Sequence, residues 1–251
     1  MKYQDERDED EVLEDDERER TPTQSNSYVI PAAILVAGAM VAGAVMYANR
    51  SNPASAPRVA AVANPGSVTS ADIQKIAGNG PFLGNPASPV TVVEFGDFQC
   101  PYCGKFFKTA EQQIINQYVK TGKVKFAYRN FAFLGQESEW AATAAGCAGE
   151  QGKFWEYHNY LFAHQNGENE GAFTKDNLKH FALGLGLDPT AFNSCLDADK
   201  YLPDVRKDTD EGRAFGVNGT PANFINGQLI TGAVPFEQLA AAIDEALGKT
   251  K

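Results

Sequence analysis

The strongest chemical signal in the sequence is a pair of cysteines separated by two residues, Cys100-Pro101-Tyr102-Cys103. The pair follows the β-branched apolar run VTVVEF and precedes a stretch with apolar residues at helical spacing, GKFFKTAEQQIINQYVKTG. This order predicts that the pair lies where a buried strand passes into a helix. Cys100 then occupies the N-cap of the helix and Pro101 its first position, where a missing N–H costs nothing.

A cysteine at a helix N-terminus is chemically activated. The free N–H groups and the positive end of the helix dipole stabilise the thiolate of Cys100 and lower its pKa. Cys103, about one turn later, faces inward and resolves the mixed disulfide that Cys100 forms. A zinc site would require two further ligands at metal spacing, but the other cysteines and the histidines are scattered singly. A purely structural disulfide would not need a helix N-terminus, so the sequence predicts a redox-active pair and no metal site.

Glu94 stands six residues before Cys100, inside the apolar strand. A lone buried carboxylate is costly unless it is paired or protonated. We therefore expect Glu94 to accept a proton beneath the dithiol, through a raised pKa. The alternative is that Glu94 points to solvent on a polar face of the strand, because the strand pattern leaves its orientation open.

A second signal is Gly219-Thr220-Pro221, which precedes two apolar runs separated by Asn226-Gly227. Asn-Gly between apolar runs strongly predicts a β-hairpin. A proline that opens a strand is unusual, and a cis peptide bond would explain it. An ordinary trans proline at a strand edge is the alternative.

Two segments carry a family resemblance, PVTVVEFGDFQCPYCGKF (89–106) and GTPANFINGQLITGAV (219–234). They resemble the DsbA-like thiol–disulfide oxidoreductases of the thioredoxin superfamily, over about residues 80–248. The resemblance implies an α/β thioredoxin fold in which residues 135–216 form an inserted helical subdomain. It also implies that Glu94 is the buried acid of the family.

The resemblance further implies that Cys100 attacks, that Cys103 resolves, and that Thr220 precedes a cis-Pro221 beside the dithiol. The backbone of Thr220 is then expected to pair with a substrate chain. No cofactor is implied beyond the redox-active disulfide. One departure is Tyr102, because many strong oxidases of this family carry histidine there. Tyrosine supplies no cation near the sulfur, which leaves the direction of the redox reaction open.

The remaining two cysteines, Cys147 and Cys195, lie in the expected insertion, 48 residues apart in the sequence. In an oxidising compartment we expect them to form a structural disulfide. The alternative is two separate buried thiols, because free cysteine is a common core residue.

Composition divides the rest of the 251-residue chain, whose net charge of −10 argues against nucleic acid as a partner. Residues 1–27 carry 11 acidic and 4 basic side chains, which predicts a disordered cytoplasmic tail. Residues 28–48 are uncharged and long enough to span a bilayer, which favours a transmembrane anchor over a cleaved signal peptide. Residues 49–79 are rich in Pro, Ala, Ser and Asn and indicate a linker, with the thioredoxin domain at 80–251.

Together these features predict a membrane-anchored, single-pass protein with its catalytic domain outside the cytoplasm. We expect it to oxidise dithiols of unfolded or cysteine-containing extracytoplasmic proteins. A membrane thiol oxidant or a quinone-linked partner would then reoxidise it. Dimeric isomerases of this superfamily carry a separate N-terminal dimerisation domain, and the tether is too short to hold one, which favours the oxidase. We also expect a monomer. The alternatives are a reductase or isomerase that uses the same residues in reverse, and a non-enzymatic chaperone or binding module.

Overall fold

A computed structural model of the protein describes residues 70–78 and 80–249. The elements in chain order are α1 (Ser70–Ala77), β1 (Phe82–Leu83), β2 (Val90–Gly96), α2 (residues 101–119), β3 (Val124–Asn130), α3 (Gln136–Glu150), α4 (Phe154–Ala163), α5 (Lys175–Gly184), α6 (Pro189–Asp197), α7 (Leu202–Ala214), β4 (Ala222–Ile225), β5 (Gln228–Thr231) and α8 (Phe236–Lys249).

The strands form one five-stranded sheet in the order β1-β3-β2-β4-β5. β2 and β3 are parallel and are joined by α2, whereas the other neighbouring strands are antiparallel. β2 is therefore the central strand, and all seven of its residues are buried. A strand with partners on both edges and cover on both faces reads as a continuous apolar run, which is the pattern of VTVVEF.

Successive side chains of β2 enter different cores. Val90 and Val92 pack with residues of α2 and α8, whereas Val93 and Phe95 pack with residues of α1. Because side chains alternate along a strand, Glu94 shares the face of Val92 and lies on the α2 side of the sheet.

The first helix belongs to the domain core. Ile73 and Ile76 of α1 are each 1% exposed. Arg129 of β3 donates to the main-chain carbonyl of Ile76 and forms an ion pair with Asp208 of α7 at 2.5 Å. The last residues of the predicted linker thus form a helix that packs on this domain.

The long helix α2 contains two π-helical segments, Phe107–Glu111 and Ile115–Val119. Wider π turns rotate the helix faces relative to a regular α-helix. Glu111, the last residue of the first π segment, is completely buried.

The helical insertion comprises α3 to α7, within the predicted range 135–216. Cys147 of α3 and Cys195 of α6 are joined by a disulfide bond. After the insertion the chain returns to the sheet through the β4–β5 hairpin. Asn226 and Gly227 at its turn have positive φ angles of 43° and 99°, which is the backbone that favours Asn-Gly.

The predicted tail, at residues 1–27, and the predicted membrane span, at residues 28–48, lie outside the described residues. Within residues 70–78 and 80–249, no helix has the length and apolar character needed to cross a membrane.

Candidate active site

The CPYC segment forms the junction between β2 and α2. Cys100 is the N-cap residue of α2, with an extended backbone (φ −67°, ψ 120°), and Pro101 follows at the first helical position. Cys100 and Cys103 are free thiols in this structure, and both are buried. The backbone N–H groups of Tyr102 and Cys103 approach the sulfur of Cys100, as expected for a side chain that precedes the first turn.

The two thiols differ in acidity. The hydrogen bond from Cys103, aided by the backbone N–H groups, lowers the pKa of Cys100 to about 6 despite its burial. Burial, followed by the hydrogen bond to Cys100 and the charge of Glu94, raises the pKa of Cys103 well above its ordinary value. At neutral pH the pair therefore consists of a Cys100 thiolate and a Cys103 thiol.

The loop before β4 lies against the attacking sulfur. The Thr220–Pro221 peptide bond is cis. The Sγ atom of Cys100 is 3.4 Å from the carbonyl oxygen of Thr220, towards which a protonated thiol donates. The fold thus joins two segments that are 120 residues apart in the sequence.

Glu94 lies inside the protein, completely buried. Its neighbours in the sheet are Tyr128 of β3 and Asn223 of β4. Burial, then the charges of Glu111 and Cys100, raise its pKa well above the ordinary value. The alternative in which Glu94 points to solvent is wrong, because both faces of β2 are covered.

Asp97 organises the loop between β2 and the cysteines, a role that the sequence did not suggest. Its carboxylate accepts hydrogen bonds from the backbone N–H groups of Gln99, Phe133 and Leu134 at 2.8–3.2 Å, and from the hydroxyl of Ser138 at 2.6 Å. Burial nevertheless raises the pKa of Asp97. The contacts connect the CPYC loop to the start of the insertion.

Gln165, just after α4, holds the same loop from the other side. Its Nε2 donates to the carbonyl oxygens of Phe98 at 2.7 Å and Cys100 at 3.0 Å. A Cβ atom at Gly104 would lie 2.0 Å from Oε1 of Gln165, so the glycine in CPYCG permits this approach. The insertion therefore positions the catalytic loop as well as covering it.

Sequence reasoning also missed Glu111 and His158. Both are completely buried, and together with Glu94 they place a carboxylate oxygen each and a ring nitrogen within 4.8 Å of one another. This is the one set of three potential metal-ligand side chains found among residues 70–78 and 80–249. The signal was absent from the sequence because the three residues lie on separate elements.

The two aromatic residues nearest to the cysteines in the sequence differ in their exposure to solvent. Tyr102, between the cysteines, is 63% exposed, whereas Phe98 is only 1% exposed. Phe98 stacks on Tyr128 and contacts Phe162, so it belongs to the core. Of the two aromatic residues that could have flanked the dithiol at the surface, only Tyr102 does so.

The chain is similar in sequence and in structure to several known proteins. The family model described as Thioredoxin matches residues 77–245. The chain is 32% identical over 171 residues to the probable disulfide bond formation protein D of Bacillus anthracis, covering 66% of this chain and 78% of that protein. The crystal structure of oxidised BdbD from Bacillus subtilis is similar, with a TM-score of 0.64 and 29% identity, over 70% of this chain and 95% of that chain.

A further relative is longer. The chain is 34% identical over 166 residues to Na(+)/H(+) antiporter NhaA 1 of Salinispora arenicola, covering 65% of this chain and 24% of that protein. The chain thus spans about a quarter of that relative's length, and the likeness concerns that part alone.

Proposed function

Because the chain belongs to the thioredoxin family, as a DsbA-like thiol–disulfide oxidoreductase, we propose that it oxidises pairs of thiols in other proteins. The active form carries a Cys100–Cys103 disulfide, and no other cofactor takes part. The likeness to the probable disulfide bond formation protein D of Bacillus anthracis is the observation that carries this direction of reaction. The lowered pKa of Cys100, about 6, agrees with it, because a stabilised thiolate favours the reduced pair and so makes the disulfide more oxidising.

The reaction proceeds by two thiolate attacks. A substrate thiolate attacks the sulfur of Cys100, and Cys103 leaves as the resolving thiol. A second substrate thiolate then attacks the mixed disulfide, and Cys100 leaves as a thiolate. The substrate has then lost two electrons to the protein, which becomes a dithiol.

Glu94 and the Thr220–Pro221 loop serve these steps. Glu94 is the buried acid that supplies a proton to Cys103, because the pKa values of both groups are raised by their common site. The backbone of Thr220, beside the sulfur of Cys100, lies where an extended substrate chain could pair with it. Pro101 and the exposed Tyr102 complete the surface that a substrate meets.

The proposed substrates are unfolded or cysteine-containing proteins outside the cytoplasm. The Cys147–Cys195 disulfide supports this location, because such bonds persist in oxidising compartments. A membrane thiol oxidant or a quinone-linked protein would reoxidise the dithiol. Anchoring through residues 28–48 and a monomeric state remain parts of this proposal.

The direction of reaction is tested by equilibrating the full chain with glutathione buffers. A reduction potential near about −120 mV supports the oxidase, and one near about −270 mV identifies a reductase instead. Cys103→Ala should trap mixed disulfides through Cys100, and mass spectrometry of the trapped proteins would name the substrates. If Cys100→Ser retains full activity in cells, the enzymatic function is wrong.

A further inference from the structure

Glu111 and His158 are buried beneath the dithiol, and the reaction described above does not use them. Glu111 lies on α2 and His158 on α4, and each is 0% exposed. One oxygen of Glu111, one oxygen of Glu94 and one ring nitrogen of His158 lie within 4.8 Å of one another. Three ionisable groups from three elements therefore share one dry site.

If both carboxyl groups were ionised, their oxygens and Nε2 of His158 would all be hydrogen-bond acceptors with no donor among them. No oxygen of Glu94 or Glu111, nor Nε2 of His158, has a hydrogen-bond partner in the part of the chain that the structure describes. Nδ1 of His158 is 3.0 Å from Oδ1 of Asn159, which is only an acceptor, so the hydrogen-bond network assigns the imidazole hydrogen to Nδ1. Nε2 is then an acceptor without a donor. Of these three side chains, only a protonated carboxyl group can supply that donor, because an ionised carboxylate also only accepts. The hydroxyl of Tyr128, also buried without a partner among the described residues, is another donor close to His158.

The surroundings favour the same protonation. Among residues 70–78 and 80–249, none of the polar groups that face Glu94 from the neighbouring elements is a permanent cation. They are Cys100, Cys103 and Glu111 of the α2 region, Tyr128 of β3, His158 of α4 and Asn223 of β4. Burial raises the pKa of Glu111 to about 8 and lowers that of His158 to about 4. At neutral pH the site therefore holds two neutral carboxyl groups and a neutral imidazole.

We propose that Glu94, Glu111 and His158 form a proton store for Cys103, in which Glu111 and His158 are positioning residues that act through Glu94. This inference rests on the oxidase function proposed above. Glu111 replaces the proton that Glu94 delivers, and Nε2 of His158 accepts the remaining carboxyl hydrogen and fixes its direction.

The protons and electrons of the reaction balance as follows. The substrate thiolate bonds to Sγ of Cys100, the Cys100–Cys103 bond breaks, and its electron pair stays on Cys103. The carboxyl proton of Glu94 moves to Cys103, and the carboxyl proton of Glu111 moves to Glu94. One of the two protons that the substrate releases then restores Glu111. In total the substrate dithiol loses two electrons and two protons. One proton ends on Cys103 after passing through the store, and the other goes to solvent because Cys100 remains a thiolate.

The test is the pH profile of a single turnover. The oxidised full chain is mixed with a dithiol peptide between pH 6 and pH 9, and rates are corrected for the thiolate fraction of the peptide. Glu111 ionises near pH 8, and its charge then raises the pKa of Glu94, so the wild-type rate should fall only above this pH, where Glu94 also loses its proton. Glu111→Gln removes that charge, so Glu94 should lose its proton, and the rate should fall, at lower pH than in the wild type. We expect the variant to be at least about threefold slower at pH 8 and within about twofold of wild type at pH 6.

Two further variants separate proton storage from a structural role. His158→Phe keeps an aromatic ring among its aromatic neighbours but removes Nε2, which accepts the carboxyl hydrogen. The rate of this variant should therefore also begin to fall at lower pH than that of the wild type. If Glu111→Gln does not fold, the pH profile of His158→Phe alone tests the inference. Glu137→Gln is the matched control. Its buried carboxylate accepts from the backbone N–H groups of Gly171 and Phe173 at 2.8 and 2.7 Å, so this change should leave the pH profile unaltered.

Two results would overturn the inference. The first is a set of pH profiles for Glu111→Gln and His158→Phe that superimpose on the wild-type profile while all three proteins oxidise the peptide; the oxidase function would then stand. The second is one equivalent of a divalent metal in the purified wild-type chain that is lost in Glu111→Gln, because the three groups would then be ligands. A wild-type chain that fails to oxidise the peptide at any pH would instead refute the proposed function.

Discussion

Cys100 and Cys103 lie three residues apart at the start of α2 and are free thiols, whereas Cys147 and Cys195 are 48 residues apart and form a disulfide between α3 and α6. Solvent exposure does not distinguish the pairs. Cys100 is 5% exposed and Cys195 is 6% exposed, while Cys103 and Cys147 are 0% and 1% exposed. Both pairs are thus buried to the same extent, and burial alone would raise the pKa of every one of these thiols.

The groups around each sulfur make the difference. The sulfur of Cys100 receives a hydrogen bond from Cys103, and it precedes the first turn of a helix, where N–H groups also face it. Cys147 and Cys195 lie in the last turns of α3 and α6, where the helix dipole disfavours a thiolate. The comparison teaches that a neighbouring thiol and a helix N-terminus together activate a cysteine that is as buried as a structural one.

The largest expected effect is on activity. Cys100→Ser should abolish oxidation, because the attacking and leaving thiolate is lost. The double variant Cys147→Ser/Cys195→Ser should keep activity within about twofold of wild type at 25 °C, since neither sulfur takes part in the proposed exchange. The measurement is the oxidative refolding of a reduced, cysteine-containing protein. Equal losses in the two variants would contradict the division between a reactive pair and a structural pair.

The two pairs should exchange roles in their effect on stability, because the second pair, and not the first, is expected to stabilise the fold. In a Cys100→Ser background, which cannot form the first disulfide, removal of Cys147 and Cys195 frees a loop of 48 residues. The free energy of unfolding should fall by about 4 kcal/mol in the chain-entropy model. Denaturant unfolding of the two proteins gives this difference directly. A loss below about 1 kcal/mol would mean that the second disulfide does little to constrain the unfolded chain.

The helix-terminal position of Cys100 also predicts a pH dependence. Its pKa is lowered from 9.0 to about 6, so the folded reduced state binds this proton less tightly than the unfolded state. The resulting stabilisation is fully present above about pH 9, diminishes from pH 9 to pH 6 and is lost as the pH falls through about 6. The difference in unfolding free energy between the reduced wild type and Cys100→Ser should therefore grow from pH 6 to pH 9. The rate of alkylation of Cys100 in the folded protein should have its pH midpoint near 6. A midpoint near 9 would show that the fold does not lower the pKa of Cys100, which would contradict the comparison between the two pairs.

The sequence allowed the reactive region and the insertion to be predicted for different reasons. Strand, CPYC and helix are consecutive, so local periodicity and capping were enough to place Cys100 at a helix N-cap. The five helices of the insertion, α3 to α7, lie within the expected range 135–216, which the family resemblance implied. The Asn226-Gly227 turn was predicted from local sequence, as the CPYC segment was.

The groups beneath the dithiol could not be predicted in this way. Helical spacing places Glu111 with Phe107 and Ile114 on one face of α2, but it does not say which groups Glu111 meets there. His158 looked like an isolated histidine, because its neighbours come from β2 and α2. The orientation of Glu94 also depended on tertiary structure, since only the packing of both faces of β2 excludes solvent. Long-range contacts, rather than local sequence, decide the electrostatics of this site.

The smallest expected effect concerns the residue between the reactive cysteines. Tyr102 is 63% exposed and uncharged, and Tyr102→His would place a partly cationic ring near the thiolate of Cys100. The pKa of Cys100 should fall further below about 6, by less than about one unit because water and salt screen an exposed charge. The glutathione equilibrium should then shift towards the reduced protein by less than about tenfold. Tyr102→Phe is the control: it also removes the hydroxyl but adds no charge, so an equal shift in both variants would show that the effect is not electrostatic.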